Sequence, residues 1–550
     1  MKKQRKKNDM AQEQTPVLIV GGGIVGLSAS LFLSYQGISS ILVERHSGTS
    51  IHPRARGVNA RTMELYQELG IREAVEAAGA ELAPSMGIFQ GTSLVEVIEG
   101  HQRGGEKPKF PGAERLEAVS PVSASRGTQD KVEPVLLQAA RERGGDLRFS
   151  TELVSFVQDE DGVTATIRNR ISEETSTIRA AYMIAADGAG SLVRQMLGAS
   201  VSGRGVLGHL LNILFEADLR ELVRGREFSM CRIDRPELVG LFTSINNSDR
   251  WVFHLCYDPT KGEKPEDFTH ERCKELLRIA LGLPDIAIEI KSILPWESAM
   301  RVADSFQHGR VFLAGDAAHQ MPPWGGQGAN TGIADVHNLA WKLAAVLRAQ
   351  AGPELLHTYT VERYPVGWLA ADESAQAADE RGLVSLNGQH PGVKNFMQRL
   401  PRILGFGYTY ASQAIIPEKE STPEQWEVLG LDGRPGTRAP HLWVQYQGQR
   451  ISTLYLFGRH FVLLTGQDGE VWQKAAASVS SRLGVDISAF RIGSAGELLD
   501  TSNQWPARAG ISEQGALLVR PDGFVAWRVQ QPPVNPTEAL EQAITQVLCR

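Results

Sequence analysis

Short apolar runs recur along the chain, each stopped by a glycine or an acid: Val17 to Val20, Ile41 to Val43, Tyr182 to Ala186 and Val311 to Ala314. Runs of this length with no polar alternation predict strands buried on both faces of a parallel sheet. Between the first two, the residues up to Gln36 read as helix and Gly37 ends it. A longer helix is expected after Asn330, where Ile333, Val336, Ala340, Leu343 and Leu347 step by three and four and place one apolar face inward. The region between the third and fourth runs has another rhythm. Segments near Leu207 to Leu219, Phe228 to Arg232, Val239 to Ile245 and Trp251 to Tyr257 alternate with period two, as antiparallel strands do. From about Gly405 the character changes again. A loop around Gly436 to Trp443 leads to a strand at Phe461 to Leu464 and a hairpin from Ala516 to Arg528 that turns at Pro521-Asp522-Gly523.

Composition narrows the possibilities. With 550 residues, 42% hydrophobic and 22% charged, the chain is an ordinary globular protein of about three packed units. Its net charge is −6, but Lys2, Lys3, Arg5, Lys6 and Lys7 share a ten-residue head with one acid, Asp9, so the remainder stands at −10. Such an acidic body lacks the clustered cations that nucleic acid or an anionic membrane requires, and the basic head reads as a frayed terminus. Thr15 to Val43 carries no charge and is long enough to imitate a membrane span, but its glycines and change of period make it strand, turn, helix and strand. Cys231, Cys256, Cys273 and Cys549 have no metal-ligand spacing and no secretory segment is visible, so no metal and a cytoplasmic location are expected.

Candidate chemistry begins at the first strand end. In Gly21-Gly22-Gly23-Ile24-Val25-Gly26, Gly21 makes the tight turn, Gly23 admits a pyrophosphate and Gly26 lets helix and strand pack closely. The helix amino end offers free N–H groups to phosphate, and Glu44, at the end of the next strand, stands where an acid accepts from ribose hydroxyls. A second match, Gly203 to Gly208, has no preceding strand, no following helix and no acid, and reads as a loop entering a hairpin. Glu44 alone does not separate NAD from FAD. Two further strands end in carboxylates: Asp187-Gly188 closes the third run, and Gly315-Asp316 the fourth.

In this order and at these separations the three segments resemble the class A flavoprotein monooxygenases, the para-hydroxybenzoate hydroxylase family of FAD-dependent aromatic hydroxylases. The resemblance covers about the first 370 residues. It implies tightly but non-covalently bound FAD, with Glu44 and the adjacent Arg45 at the adenosine ribose, Asp316 at the ribityl chain, and Asp187-Gly188 serving both FAD and NADPH or NADH as transient co-substrate. The loop Pro53 to Val58, with Arg54, resembles the one beside the flavin ring, and Arg126 and Gln129 resemble FAD contacts. The free N–H groups of Gly328, Ala329 and Asn330 at a helix amino end would hold negative charge at the N1/O2 side of reduced flavin. Pro322 and Pro323 have counterparts on the substrate side of the flavin, where Trp324 would stack on an aromatic substrate or simply pack. Arg54, Pro323, Trp324 and Asn330 are thus the catalytic candidates.

The implied reaction consumes O2 and NAD(P)H and hydroxylates an aromatic, phenolic or polycyclic polyketide-like substrate through a flavin C4a-hydroperoxide. The alternating strands would roof the substrate cavity, with His209, Asn212, Arg232 and His254 as polar candidates and no base named. The C-terminal region resembles the thioredoxin-like domain of phenol and polyketide hydroxylases, without a CxxC and so without redox chemistry, as a structural or oligomerisation module of a possible homodimer. The expected fold is α/β overall: a Rossmann-like FAD domain (15–86, 112–200, 290–402) interleaved with an antiparallel substrate domain (87–111, 201–289), then 403–550 as linker and thioredoxin-like domain, with residues 1–14 as the head. Baeyer-Villiger oxygen insertion or epoxidation, and a flavin-loaded binding or resistance protein that does not oxygenate, are the alternatives. The WxWxIP signature of flavin halogenases is missing.

Overall fold

The computed structural model describes residues 13–82, 87–100, 118–383, 406–418 and 431–550. The basic head up to residue 12 lies outside the described residues. The chain begins with β1 (Glu13–Val20), α1 (Ile24–Tyr35) and β2 (Ser40–Val43), then α2 (Ala60–Glu68), α3 (Gln129–Glu142), β3 (Asp146–Arg148) and β4 (Thr175–Ala185). β1 lies between β2 and β4, parallel to both, and Val17, Leu18 and Ile19 are fully buried. The apolar runs are therefore central strands, whose side chains need no polar alternation because both faces are covered.

The chain next builds a second sheet from β5 (Val201–Glu216), β6 (Met230–Asp234), β7 (Val239–Ser244), β8 (Arg250–Tyr257) and β9 (Glu289–Ala303), ordered β9-β5-β8-β7-β6, with Ile88–Gly91 at its edge beside β6. Two expectations change here. Gly203 to Gly208 is not a loop; it lies inside β5, at register shifts against β9, and a Cβ on Gly208 would strike the Arg381 carbonyl oxygen. β9 pairs with β5 over its length, so residues 290–303, expected beside the first sheet, lie in the second one. The strand is committed to that sheet by cross-strand hydrogen bonding, which the apolar pattern alone did not reveal.

Period two gives this sheet distinct faces. Leu211, Ile213, Phe215, Trp251 and Phe253 point to one side and form a core with Leu94, Val97, Val223 and Leu277 from the helices Leu94–Glu99, Arg220–Val223 and His270–Leu281. Asn212, Leu214, Val252 and His254 point to the other, toward the unit built on the first sheet: Leu214 and Val252 meet Leu82, and Arg250 reaches Asp130.

The chain returns to the first sheet with β10 (Val311–Leu313), parallel to β4, completing the order β10-β4-β1-β2-β3. α4 (Gln327–Leu347) and α5 (Glu354–Gln376) follow. The expected single inward face of α4 is an underestimate. Asp335, His337, Asn338 and Lys342 are buried as well as Ile333 and Leu343, because Trp341 and Ala345 pack into the C-terminal core beside Phe461 and Leu463. That domain contains β11 (Phe461–Thr465), α6 (Glu470–Leu483), β12 (Ile487–Gly493), β13 (Ala516–Val519), β14 (Val525–Val529) and α7 (Pro536–Val547). β11 is parallel to β12 and antiparallel to β13, and β13 and β14 form the hairpin, a thioredoxin-like arrangement. Gly466-Gln467-Asp468-Gly469 occupies the β11-to-α6 junction.

Where the FAD unit closes, backbone meets backbone. A Cβ built on Gly332 of α4 would lie 2.6 Å from Val25 Cγ2 and 2.8 Å from Gly315 Cα. Gly332→Ala is expected to destabilise the protein by about 1–3 kcal/mol, the usual cost of overpacking a fixed core, read as a lower urea midpoint for the FAD unit.

Candidate active site

The glycine-rich loop is shaped by close contacts. Gly21 has φ +107 and abuts the carbonyl of Ala186 at the end of β4, while Gly26 packs on the carbonyl of Gly21, so neither has room for a Cβ. Gly23 differs: a Cβ there would find only Glu133 Oε1, at 3.5 Å, and its outer side stands open. Glu44 Oε2 accepts the Gly22 N–H at 2.6 Å and Oε1 accepts the His46 N–H at 2.8 Å, which fixes the carboxylate beside the loop; Arg45 is exposed. Glu133 is buried and accepts from the Gln129 amide at 2.6 Å and the Ser50 N–H at 2.7 Å. Burial raises its carboxyl above the ordinary value, against those hydrogen bonds. Gln129 is thus held by Glu133, and Arg126, exposed, pairs through its backbone with Gly57.

The two carboxylate motifs behave differently. Asp187, expected at the cofactor, is engaged in local capping: it accepts from Ser191 Oγ at 2.6 Å and from the Val193 N–H at 3.1 Å, at the start of the helix Leu192–Met196. Its burial raises its pKa. Gly188 beside it, with φ +81, faces open space. Asp316 points into the cleft, open to solvent but ringed by protein. That crowding raises its carboxyl, opposed by the charges of His319, Arg54 and Arg194. Arg194 links the motifs, donating to the carbonyls of Ala189 at 2.7 Å and Ala317 at 2.9 Å.

The amino end of α4 arrives next to Asp316, since a Cβ on Gly328 would lie 3.6 Å from Asp316 Oδ1. Gly325 and Gly326 precede it with φ +72 and +63, a left-handed pair that turns the chain into the helix. Gly328 and Ala329 lie in the first turn, whose N–H groups have no partner within the helix. Asn330, expected at the reacting centre, has a saturated side chain. Its Oδ1 accepts from the Asn59 N–H at 3.0 Å and Thr62 Oγ1 at 2.7 Å, and its Nδ2 donates to the carbonyls of Gly57 and Gly326. It braces α4 against α2, and its side chain has no donor or acceptor left for a ligand. Pro323 is exposed, Trp324 is half-buried with its carbonyl accepting from Ser374 Oγ, and Arg54 is exposed beside the cleft. Open glycines at Gly23 and Gly188, the Asp316 carboxylate and two helix amino ends together suit a dinucleotide carrying a polyol and an acidic heterocycle. FAD fits this set.

Three of the four substrate-side candidates share the sheet face that looks at this cleft. His254 Nδ1 lies 2.5 Å from Asn212 Oδ1 and its Nε2 3.1 Å from Thr243 Oγ1. The Trp296 indole, which only donates, also bonds Asn212 Oδ1. That donor orients the amide, the amide makes His254 the Nδ1–H tautomer, and the Thr243 hydroxyl donates to Nε2. Burial, then His52 and Arg56, lower His254 to about 3. His52, from the loop below, is buried with neither ring nitrogen bonded, and burial lowers it to about 4. Arg232 is on the same face but is tied by ion pairs to Asp234 and Asp379. His209 is a correction: three residues from Asn212 in β5, it falls on the opposite face and its ring lies 5.6 Å from that of Tyr257.

Comparison with known proteins now decides the family. Residues 14–374 match the FAD binding domain model and residues 432–550 the aromatic-ring hydroxylase C-terminal model. The chain belongs to the FAD-dependent aromatic-ring hydroxylases. It is 40% identical to the tetracenomycin A2 monooxygenase-dioxygenase of Streptomyces glaucescens, covering 98% of both chains, and 41% identical to the 4-methyl-5-nitrocatechol 5-monooxygenase of a Burkholderia species, also over 98% of both. The crystal structure of aklavinone-11 hydroxylase in a ternary complex with FAD and aklavinone superposes with a TM-score of 0.87 at 38% identity, over 98% of this chain and all of that one. FAD is the cofactor, and the enzyme is an FAD-dependent aromatic monooxygenase of the polyketide hydroxylase subgroup. Among the described residues no helix is long and apolar enough to cross a membrane.

Sequence reasoning missed Glu133, Arg194 and His52 in this hydroxylase. Arg194 ends the Asp187 segment, and its spacing of seven from Asp187 was a readable signal; Glu133 meets Gly23 and Ser50, and His52 lies beside His254, only through the fold. Asp316→Ala is expected to lose most of the bound FAD, measured as flavin absorbance per chain, with the C-terminal domain still folded. The roof makes a second prediction. His254 and His52 are held well below the ordinary 6.5, whereas unfolding frees them to bind protons below that pH. Their stabilising contribution is complete above pH 6.5 and is lost as pH falls through about 4 for His52 and about 3 for His254. Urea midpoints should fall through this window, and His254→Gln should flatten the fall.

Proposed function

We propose that the enzyme binds a planar polycyclic phenol or quinone of polyketide type under the β5–β8 face and hydroxylates it, with NADPH or NADH as reductant and O2 as oxidant. When bound, FAD supplies the activated oxygen; the chain's residues position, desolvate and hydrogen-bond. The observation that carries the reading is the Asn212–His254–Trp296 arrangement set in an apolar roof of Leu210, Leu241 and Met230. Asn212 Oδ1 is taken by two donors, so its Nδ2 is left to donate to a ligand oxygen. With His254 and His52 near 3 and 4, both imidazoles are neutral at working pH and serve as hydrogen-bonding groups, not as bases for a phenol near pKa 10. The site therefore favours an oxygen that already accepts, a carbonyl or a phenolate. The floor complements this roof: Asp316 and the amino end of α4 would hold the ribityl chain and the N1/O2 edge of the flavin, with dipole and N–H groups stabilising negative charge there.

The substrates named for the relatives support a polycyclic ligand, and the nitrocatechol enzyme supports a single-ring phenol as the second reading. The test follows NADPH and NADH oxidation with hydroxyanthraquinones, naphthoquinones and simple phenols, and weighs the products. Stimulation by a polycyclic ligand with a product heavier by one oxygen is the expected result; stimulation by small phenols alone would select the second reading. Asn212→Leu is expected to raise KM for the active ligand roughly tenfold, the cost of about one hydrogen bond to a charged or strongly polarised oxygen, and to divert reducing equivalents to hydrogen peroxide.

A further inference from the structure

The β13–β14 turn, Arg520 to Gly523, carries two charged side chains that are almost entirely buried, Arg520 and Asp522. A hairpin turn normally leaves such groups in water. Here it is driven between three helices of the FAD unit. Arg520 clamps Glu362 of α5 with bonds of 2.6 and 2.9 Å and holds Asp522 through its Nε at 3.0 Å. Glu362 also accepts from Lys342 at 2.7 Å and Asn338 at 2.8 Å, both on α4. Asn338 Nδ2 further donates to Asp522 Oδ2 at 3.1 Å, and Arg61 of α2 donates to the Asp522 carbonyl at 3.0 Å.

The same helices present their other contacts to the flavin cleft. Asn330 of α4 is bonded to Asn59 and Thr62 at the start of α2. Arg363, next to Glu362 in α5, donates to Asp335 at 2.8 Å and to the Thr331 carbonyl, and Asp335 accepts the Gly315 N–H beside Asp316. Between the helices lies a small, partly open cavity of about 40 Å³, lined by Asn59, Arg61, Asn330, Arg363, Glu373 and Tyr408. Packing is incomplete there, unlike in a filled core, and polar ties span the gap. Buried ion pairs add little net stability but are demanding about geometry.

We propose that the C-terminal turn is the positioning element of the flavin site, with Arg520, Asp522 and Asn338 setting where the amino ends of α2 and α4 stand relative to Asp316. All three are almost entirely buried, and none is among the residues assigned above to the cofactor. This gives the thioredoxin-like domain a task that its missing redox cysteines leave open, and it rests on FAD as cofactor, not on the choice of substrate.

The test titrates the full-length apoprotein with FAD by flavin fluorescence quenching and records the visible spectrum and midpoint potential of the bound flavin. Asn338→Leu keeps shape and leaves the Arg520–Glu362–Lys342 ion pairs; Asp522→Asn removes one charge. The control is Val479→Ala, a cavity in the C-terminal core. Both test variants should weaken FAD binding at least tenfold, shift the flavin bands and lower the midpoint potential, while the control, at an equal or larger loss of melting temperature, keeps the Kd within twofold. Unchanged Kd and spectrum in Asn338→Leu would overturn the proposal, as would a control that loses FAD equally. If Asp522→Asn does not fold, Asn338→Leu alone decides.

Discussion

The meeting of α1, the Gly315 loop and α4 around Val25 governs the architecture. Its side chain fills the space that a Cβ on Gly315 or Gly332 would need, so α1 is held in close contact with two segments that follow it by some 300 residues. Of the three, one begins the loop suited to pyrophosphate, one ends in Asp316 and one carries the helix end next to it. At that crossing their separation is set by steric contact, while the amino ends of α2 and α4 beyond it are held by polar ties. Asp335, one helical turn beyond Gly332 region contacts, then locks the arrangement by accepting from Gly315, His319 and Arg363.

What the sequence revealed was local. Each apolar run that ended in glycine or acid became a central strand with its motif at the sheet edge, because a strand, its turn and its helix lie within reach of one another. What it concealed depended on partners far away. The polar side of α4 looked like a surface until the C-terminal domain covered it. Asp522 looked like any turn residue, since nothing near it in the chain announces Glu362 or Asn338. His209 and Asn212 looked alike as polar residues in an alternating strand, although counting parity from one to the other separates their faces. Asn330 stands near the amino end of α4, and its four hydrogen bonds give its side chain a bracing role that no motif encodes.

The two walls of the site divide the electrostatic work. The floor concentrates formal charge and dipoles: Asp316, Arg54, Arg194 and the helix ends. The roof keeps its polar groups neutral, since burial holds His254 and His52 far below the pH at which they would charge. A ligand bound as proposed between them would meet field on one side and directional hydrogen bonds on the other, in a low-dielectric setting where both act strongly.

The order of segments along the chain also bears on how the protein is made. β1 and the glycine loop emerge from the ribosome first, but β10, Asp316 and α4 follow only after the whole substrate sheet, and Gln36 finds its partner in the Gly458 carbonyl, 422 positions later. Nascent chains fold as their parts appear. The early half must therefore wait with an unfinished sheet edge, and the cofactor cleft can close only near the end of synthesis, which makes FAD capture a late event in the life of each new molecule.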